Sequence, residues 1–238
     1  MATDGCLLSK RKQLNFKSED RQLVETFLTC LGRPALPSSA RTRTGNVVFF
    51  KQFGDAAFYR WLQSIGLMPR KSLVLGALGV PSDLLLDCAR GLLDGDGSLV
   101  DYWYDGGGKA AGRRYEGFST RFISASRPHV AWLSGELTRI VGVRGFITRP
   151  SPPRGCWALN YMIRESCVLL PRIYPTSDVP KLERKWEVWR AYAARHGHPA
   201  TLEEVATDRE LDSARAGRDT KGRFATLSRR PFPAALSE

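Results

Sequence analysis

Apolar and polar positions along the chain fall into two rhythms. In residues 118–123, Phe118, Thr120 and Phe122 interleave with Ser119, Arg121 and Ile123. That period of two predicts a strand with one buried face, and Val100, Tyr102 and Tyr104 share the outer face on the strand before it. Leu14-Asn15-Phe16, Val47–Phe53 and Cys156–Tyr161 read as further strands, while residues 20–32 and 127–142 carry a helical period. Pro81-Ser82-Asp83 is a helix start signal and predicts a helix from Leu84 to about Gly95. Asp87, Arg90 and Asp94 form one stripe on it, spaced so that Arg90 can pair with both acids. Leu84, Cys88, Gly91 and Gly95 form another. A glycine inside a helix costs about 1 kcal/mol relative to alanine. Two of them predict close approach by a second helix at Gly91 and Gly95, with Cys88 in the same interface.

The predicted helix closes on Asp94-Gly95-Asp96-Gly97. A carboxylate at the negative end of a helix dipole is disfavoured by about 0.3–1 kcal/mol. A hard divalent cation reverses that sign, because Mg²⁺ takes carboxylate oxygens together with water and phosphate. An EF-hand is excluded: with Asp94 first, the sixth position is Leu99 instead of glycine and the twelfth is Asp105. A helix–turn–strand junction without chemistry stands beside the metal reading at this point.

Composition narrows the partners. The 238 residues are 42% hydrophobic and carry a net charge of +12, with Lys and Arg spread throughout. That excess points to a polyanion, nucleic acid foremost. No apolar run approaches the roughly 20 residues of a membrane helix, and the N-terminus shows no signal-peptide pattern. No membrane role is expected, and the cytoplasm (or a nucleoid or organelle) is the expected location. Cys6, Cys30, Cys88, Cys156 and Cys167 form no CxxC pair and read as reduced thiols. His196-Gly197-His198 lacks further ligands nearby and reads as tail.

Residues 89–97, ARGLLDGDG, resemble the LAGLIDADG motif of homing endonucleases and are followed by a strand at Ser98-Leu99-Val100. A second copy is visible 92 positions earlier, where ATDGCLL (residues 2–8) matches DGDGSLV (residues 94–100) and Thr3 stands in the place of Gly95. Of that earlier motif only Met1–Gly5 is present. GLMPRKS (66–72) and VPKLERKW (179–186) close the two halves. The resemblance covers roughly residues 1–195. It implies an α+β fold of two αββαββα pseudo-repeats whose antiparallel four-stranded sheets form a DNA-binding saddle. The expected divisions are 1–80, 81–195 and a basic tail at 196–238.

The resemblance also implies the activity: site-specific cleavage of both strands of DNA with Mg²⁺ (or Mn²⁺). Asp4 and Asp96 are the implied metal-binding carboxylates, with Gly5 and Gly97 beside them in the metal site. A lysine near each site would polarise the attacking water, and Lys71 and Lys185 are the candidates shared by the closing segments. Asp94 is expected to be structural, tied to Arg90. Groove contacts are expected from Tyr102, Tyr104, Ser119 and Arg121. Contacts to phosphate or groove are expected from Arg41, Arg43, Lys51, Arg113, Arg114 and Arg149, with Arg144, Arg154 and the Lys109 hairpin beside them. The chain would act as a monomer with pseudo-two-fold symmetry or as a homodimer pairing through residues 84–96. The alternative function is a non-cleaving DNA- or RNA-binding relative, a regulator or intron maturase.

Overall fold

A computed structural model describes residues 1–9, 12–149 and 155–207. Its elements run β1 (Gly5–Leu8), β2 (Gln13–Ser18), α1 (Arg21–Cys30), β3 (Ser38–Arg41), β4 (Val47–Gly54) and α2 (Ala56–Ser64). They continue through α3 (Leu85–Asp94), β5 (Ser98–Asp105), β6 (Arg114–Ser124), α4 (Arg127–Val141), β7 (Phe146–Thr148), β8 (Trp157–Tyr161), α5 (Ile163–Ile173) and α6 (Glu183–His196). Arg154 and the tail from residue 208 lie outside the described residues.

The strands form two antiparallel four-stranded sheets of one topology, β1-β2-β4-β3 and β5-β6-β8-β7. The α+β class and the repeated pattern expected from the sequence are both present. Register makes the equivalence residue by residue. Cys6 faces Asn15 and Asn15 faces Gln52 in the first sheet; Ser98 faces Arg121 and Arg121 faces Asn160 in the second.

Helices cover one face of each sheet. Leu7, Leu14 and Phe16 point to that side in the first, where the Phe16 ring stacks on Phe27 of α1 at 4.1 Å. Leu99, Phe118 and Phe122 do so in the second, where Phe118 packs on Trp189 and Tyr192 of α6. The interleaved positions make an open face. Because residues directly opposite each other across a ladder share a face, the strand register decides which candidates reach it.

α3 is the central element. It begins one residue later than the sequence pattern suggests, after a short 3-10 turn at Ser82–Leu84. Ala89 and Leu93 are completely buried in the core of the second half. The pairing of Arg90 with both acids is not what forms. Arg90 pairs with Asp87 and donates to the carbonyls of Ile173 (2.8 Å) and Pro180 (2.9 Å). Asp94 instead accepts the Leu182 backbone N–H at 3.0 Å, at the start of α6. Of the two glycines, only Gly95 is closely covered. A Cβ there would meet Thr3 Cβ at 2.6 Å and Asp4 Oδ2 at 2.8 Å, with Thr3 Oγ1 nearer still. Nothing described lies within 4 Å of a Cβ at Gly91. Gly91 and Cys88 instead line an apolar cavity of about 450 Å³ with Phe58, Trp61 and Leu84.

Candidate active site and nucleic-acid face

Thr3-Asp4-Gly5 crosses the C-terminal end of α3, so the two acidic tips meet there. Asp4 is within contact range of the Gly95 backbone, and Asp96 lies near enough for the Asp4 charge to act on it. Burial raises the pKa of both carboxyls. Asp96 is raised further by Asp4, while Lys71 and Lys185 pull it down. Asp4 Oδ2 is buried with no hydrogen-bond partner among the described residues. Two desolvated carboxylates brought together, one with an orphaned oxygen, form a repulsive arrangement that a hard cation would relieve. Among the described residues no group of three or more His, Cys, Asp or Glu is gathered for a metal. A pair of carboxylates leaves the other positions of a hard cation to water and phosphate, which is the coordination Mg²⁺ takes.

The two lysines bind the same features of the two motifs, but unequally. Lys71 Nζ donates to the carbonyls of Thr3 (3.3 Å) and Gly5 (2.5 Å). Lys185 Nζ donates to the carbonyls of Gly95 (3.0 Å) and Gly97 (2.7 Å), the matching positions 92 residues later, and also to those of Leu93 and Asp94, each at 2.7 Å. An ammonium has three protons. Lys185, 5% exposed, has none left for a water, whereas Lys71 retains one. Burial lowers the pKa of both, Lys185 to about 8, with Arg184 adding to the effect there. The water-polarising role implied for both lysines is geometrically open only to Lys71. Lys185 closes the unsatisfied carbonyls at the end of α3.

Lys71 lines a cavity of about 250 Å³ with Asp4, Cys6, Asn15, Lys17, Met68 and Arg70. Asn15 Oδ1 is buried there without a partner. Gly97 is enclosed by the carbonyls of Leu93 (2.6 Å) and Arg121 (2.9 Å), measured from the position its Cβ would take. It fits the turn from α3 into β5 because it has no side chain.

On the open face, Tyr102 lies across Gly117, its Cζ 2.5 Å from the place of a Cβ. Its ring neighbours Tyr104 at 6.0 Å, and Tyr104 neighbours Tyr115 at 5.7 Å. Arg121 stands on the same face. Ser119 does too, but it is 1% exposed and its hydroxyl has no partner. Arg41 and Arg43 sit at the β3–β4 turn, where Arg41 donates to the Gly45 carbonyl, and Arg113 sits in the β5–β6 connection. Three expected contacts fall on the helix side instead. Lys51 is opposite Phe16. Arg114 stacks over Trp103, 5.4 Å away. Arg149 stacks over Trp157, 5.5 Å away, with Arg127 at the same distance from that ring. Tyr115, Gln13, Asn15, Lys17, Gln52 and Asn160 occupy the open face by register and were not singled out from the sequence. The alternation of polar and apolar residues in Gln13–Lys17 is the signal that finds the first three of the polar ones.

Comparison with solved structures fits this geometry. The homing endonuclease I-WcaI bound to its DNA recognition sequence superposes with a TM-score of 0.52 at 15% identity, over 77% of this chain and 80% of that one. The meganuclease I-SmaMI bound to uncleaveable DNA gives 0.55 at 13% identity, over 90% and 95%. The fold is the LAGLIDADG fold. Full-length WhiA from Thermatoga maritima shares it, with a TM-score of 0.50 at 12% identity over 91% of this chain and 64% of that one. No family model matches the sequence, and no curated protein does. The likeness is carried by topology, so the LAGLIDADG assignment describes architecture and the chemistry must be argued from the site.

Proposed function

We propose that the chain is a site-specific, Mg²⁺-dependent DNA endonuclease that cuts both strands as a monomer, each half-sheet reading one side of the target. The observation that supports this best is the meeting of Asp4 and Asp96 at the end of α3, where β1 and β5, the first strands of the two sheets, begin. Asp4 and Asp96 would hold Mg²⁺, which when bound supplies charge stabilisation at phosphorus and lowers the pKa of its water. Carbonyl donation from Lys71 and Lys185 fixes the backbone of both acidic turns, so the carboxylates are held at one separation before DNA arrives. Asp94 stays out of the chemistry because its Oδ2 fastens α6. Lys71, with its remaining proton, orients a water or phosphate oxygen on the first-half side. Tyr102, Tyr104 and Arg121 face the groove, where apolar and bidentate contacts discriminate bases.

A duplex enriched from a random-sequence library by binding to this protein serves as substrate. Mg²⁺ is expected to start cleavage of both strands and Asp96→Asn to abolish it, with binding retained in Ca²⁺. A wild-type chain that binds its enriched duplex and leaves both strands intact in Mg²⁺ and Mn²⁺ overturns the enzyme reading. One observation favours a non-cleaving DNA-binding protein as the second reading: Lys185 has no proton free to serve the second site.

A further inference from the structure

The two closing segments carry the same dipeptide, Arg70-Lys71 and Arg184-Lys185, and the lysines hold matching carbonyls. The arginines do not match. Arg184 makes a two-pronged pair with Asp20 ahead of α1, at 3.0 and 2.7 Å, and so joins α6 to the first half. Arg70 is exposed and has no acidic partner among the described residues. It lines two cavities on the first sheet's open face. One holds Asp4, Asn15, Lys17 and Lys71; the other, of about 550 Å³, holds Cys6, Leu8, Gln13 and Gln52. Its backbone is left-handed, with φ 57° and ψ 34°. A side chain with a Cβ rarely adopts that region, and such strain gathers where a residue must be aimed.

We infer that Arg70 is a DNA-backbone contact, a guanidinium aimed at a phosphate beside the first-half acidic tip, and that Arg184 has exchanged the same role for holding the halves together. A planar fork suits a phosphate's paired oxygens. The position next to Asp4 puts the contact at the centre of the target, where the backbone must approach. The inference rests on the DNA-binding part of the proposed function and not on cleavage.

Affinity for a mixed-sequence 30-base-pair duplex, measured by fluorescence anisotropy without metal at several salt concentrations, tests it. Each phosphate contact contributes about 0.9 to the slope of log affinity against log salt. Arg70→Gln is expected to reduce the slope by that amount, so the wild-type advantage shrinks about 3.5-fold between 50 and 200 mM salt. Arg184→Gln is expected to keep the wild-type slope and to lower the thermal midpoint. Arg70→Gly, which relaxes the left-handed backbone, is expected to melt no lower than wild type while binding as weakly as Arg70→Gln. An unchanged slope in Arg70→Gln, or an equal fall in Arg184→Gln, overturns the inference while leaving the DNA-binding reading intact. Absence of wild-type binding overturns both.

Discussion

Replacing Lys185 by Met removes three donors and keeps the length of the side chain. Four carbonyls, at 2.7, 2.7, 2.7 and 3.0 Å, then lose their partner at a buried helix end. A hydrogen bond to a charged group contributes about 1.5–3 kcal/mol net, so three protons contribute about 4.5–9 kcal/mol. Burial lowers the ammonium pKa to about 8, so the bonds do not add in full. Removing one partner of a buried charged network costs about 3–5 kcal/mol, and a loss near ~4 kcal/mol is expected. For a chain of this size about 2–4 °C follows per kcal/mol, so the thermal midpoint by circular dichroism is expected to fall about 8–16 °C. Lys71→Met, which frees only two carbonyls in a half-open site, is expected to cost about 1–2 kcal/mol. If Lys185→Met melts within a degree or two of wild type and yet loses DNA cleavage, the ammonium acts on substrate and the structural account is refuted.

Asp94→Asn is expected to stabilise the protein at neutral pH. Burial raises the Asp94 carboxyl to about 6, so between about pH 4 and 6 the folded state binds the extra proton and stability falls as pH rises through that window. The amide keeps an oxygen for the Leu182 N–H. Urea midpoints are expected to favour the variant by about 1–3 kcal/mol at pH 7.5 and to converge with wild type at pH 4; a pH-independent difference speaks against the cause. Gly95→Ala is expected to cost about 1–3 kcal/mol by overpacking and to impair cleavage by displacing Asp4. Thr3→Gly in the same chain is expected to restore stability, since the closest overlaps are with the Thr3 side chain. Failure of the double variant to recover in thermal melts would place the strain elsewhere.

Much of the architecture is legible in local patterns. The alternation through 118–123 gives the correct open face for Arg121 and Ile123, and the repeat of Asp4-Gly5 at Asp96-Gly97 gives the two acidic tips. What local pattern does not carry is register and long-range capping. Lys51 lies in a strand of mostly apolar residues, Val47–Gly54, and only its pairing with Phe16 assigns it to the helix side. Asp94 and Arg90 are spaced to meet on one helix, but the N–H at Leu182 and the carbonyls at Ile173 and Pro180 compete for them from 83 to 90 residues away. Buried backbone groups require partners, and that demand overrides a helix-surface ion pair of about 0.2–0.5 kcal/mol. The left-handed backbone at Arg70 has no sequence signal at all, because glycine or asparagine is the residue expected there.

The same Arg-Lys pair has thus been put to two uses by one topology. In the second half both cations are spent internally: Arg184 on Asp20, Lys185 on the carbonyls that end α3. In the first half, among the described residues, Arg70 has no acidic partner and Lys71 keeps one proton, beside the orphaned oxygens of Asp4 and Asn15. A pseudo-symmetric fold repeats the acidic tip, but identical placement does not give identical chemistry when the supporting cations differ. Lys71 and Lys185 both pull the Asp96 carboxyl down, and Lys185 acts on Asp4 as well, so the two halves differ in free donors: Lys71 and Arg70 keep theirs, while Lys185 and Arg184 do not. If the chain cuts DNA, the strand held by the first half is therefore expected to be cut faster, and nicked duplex labelled on either strand reads that order directly. Equal accumulation of the two nicks would mean that the cations retained around Asp4 contribute nothing to the rate.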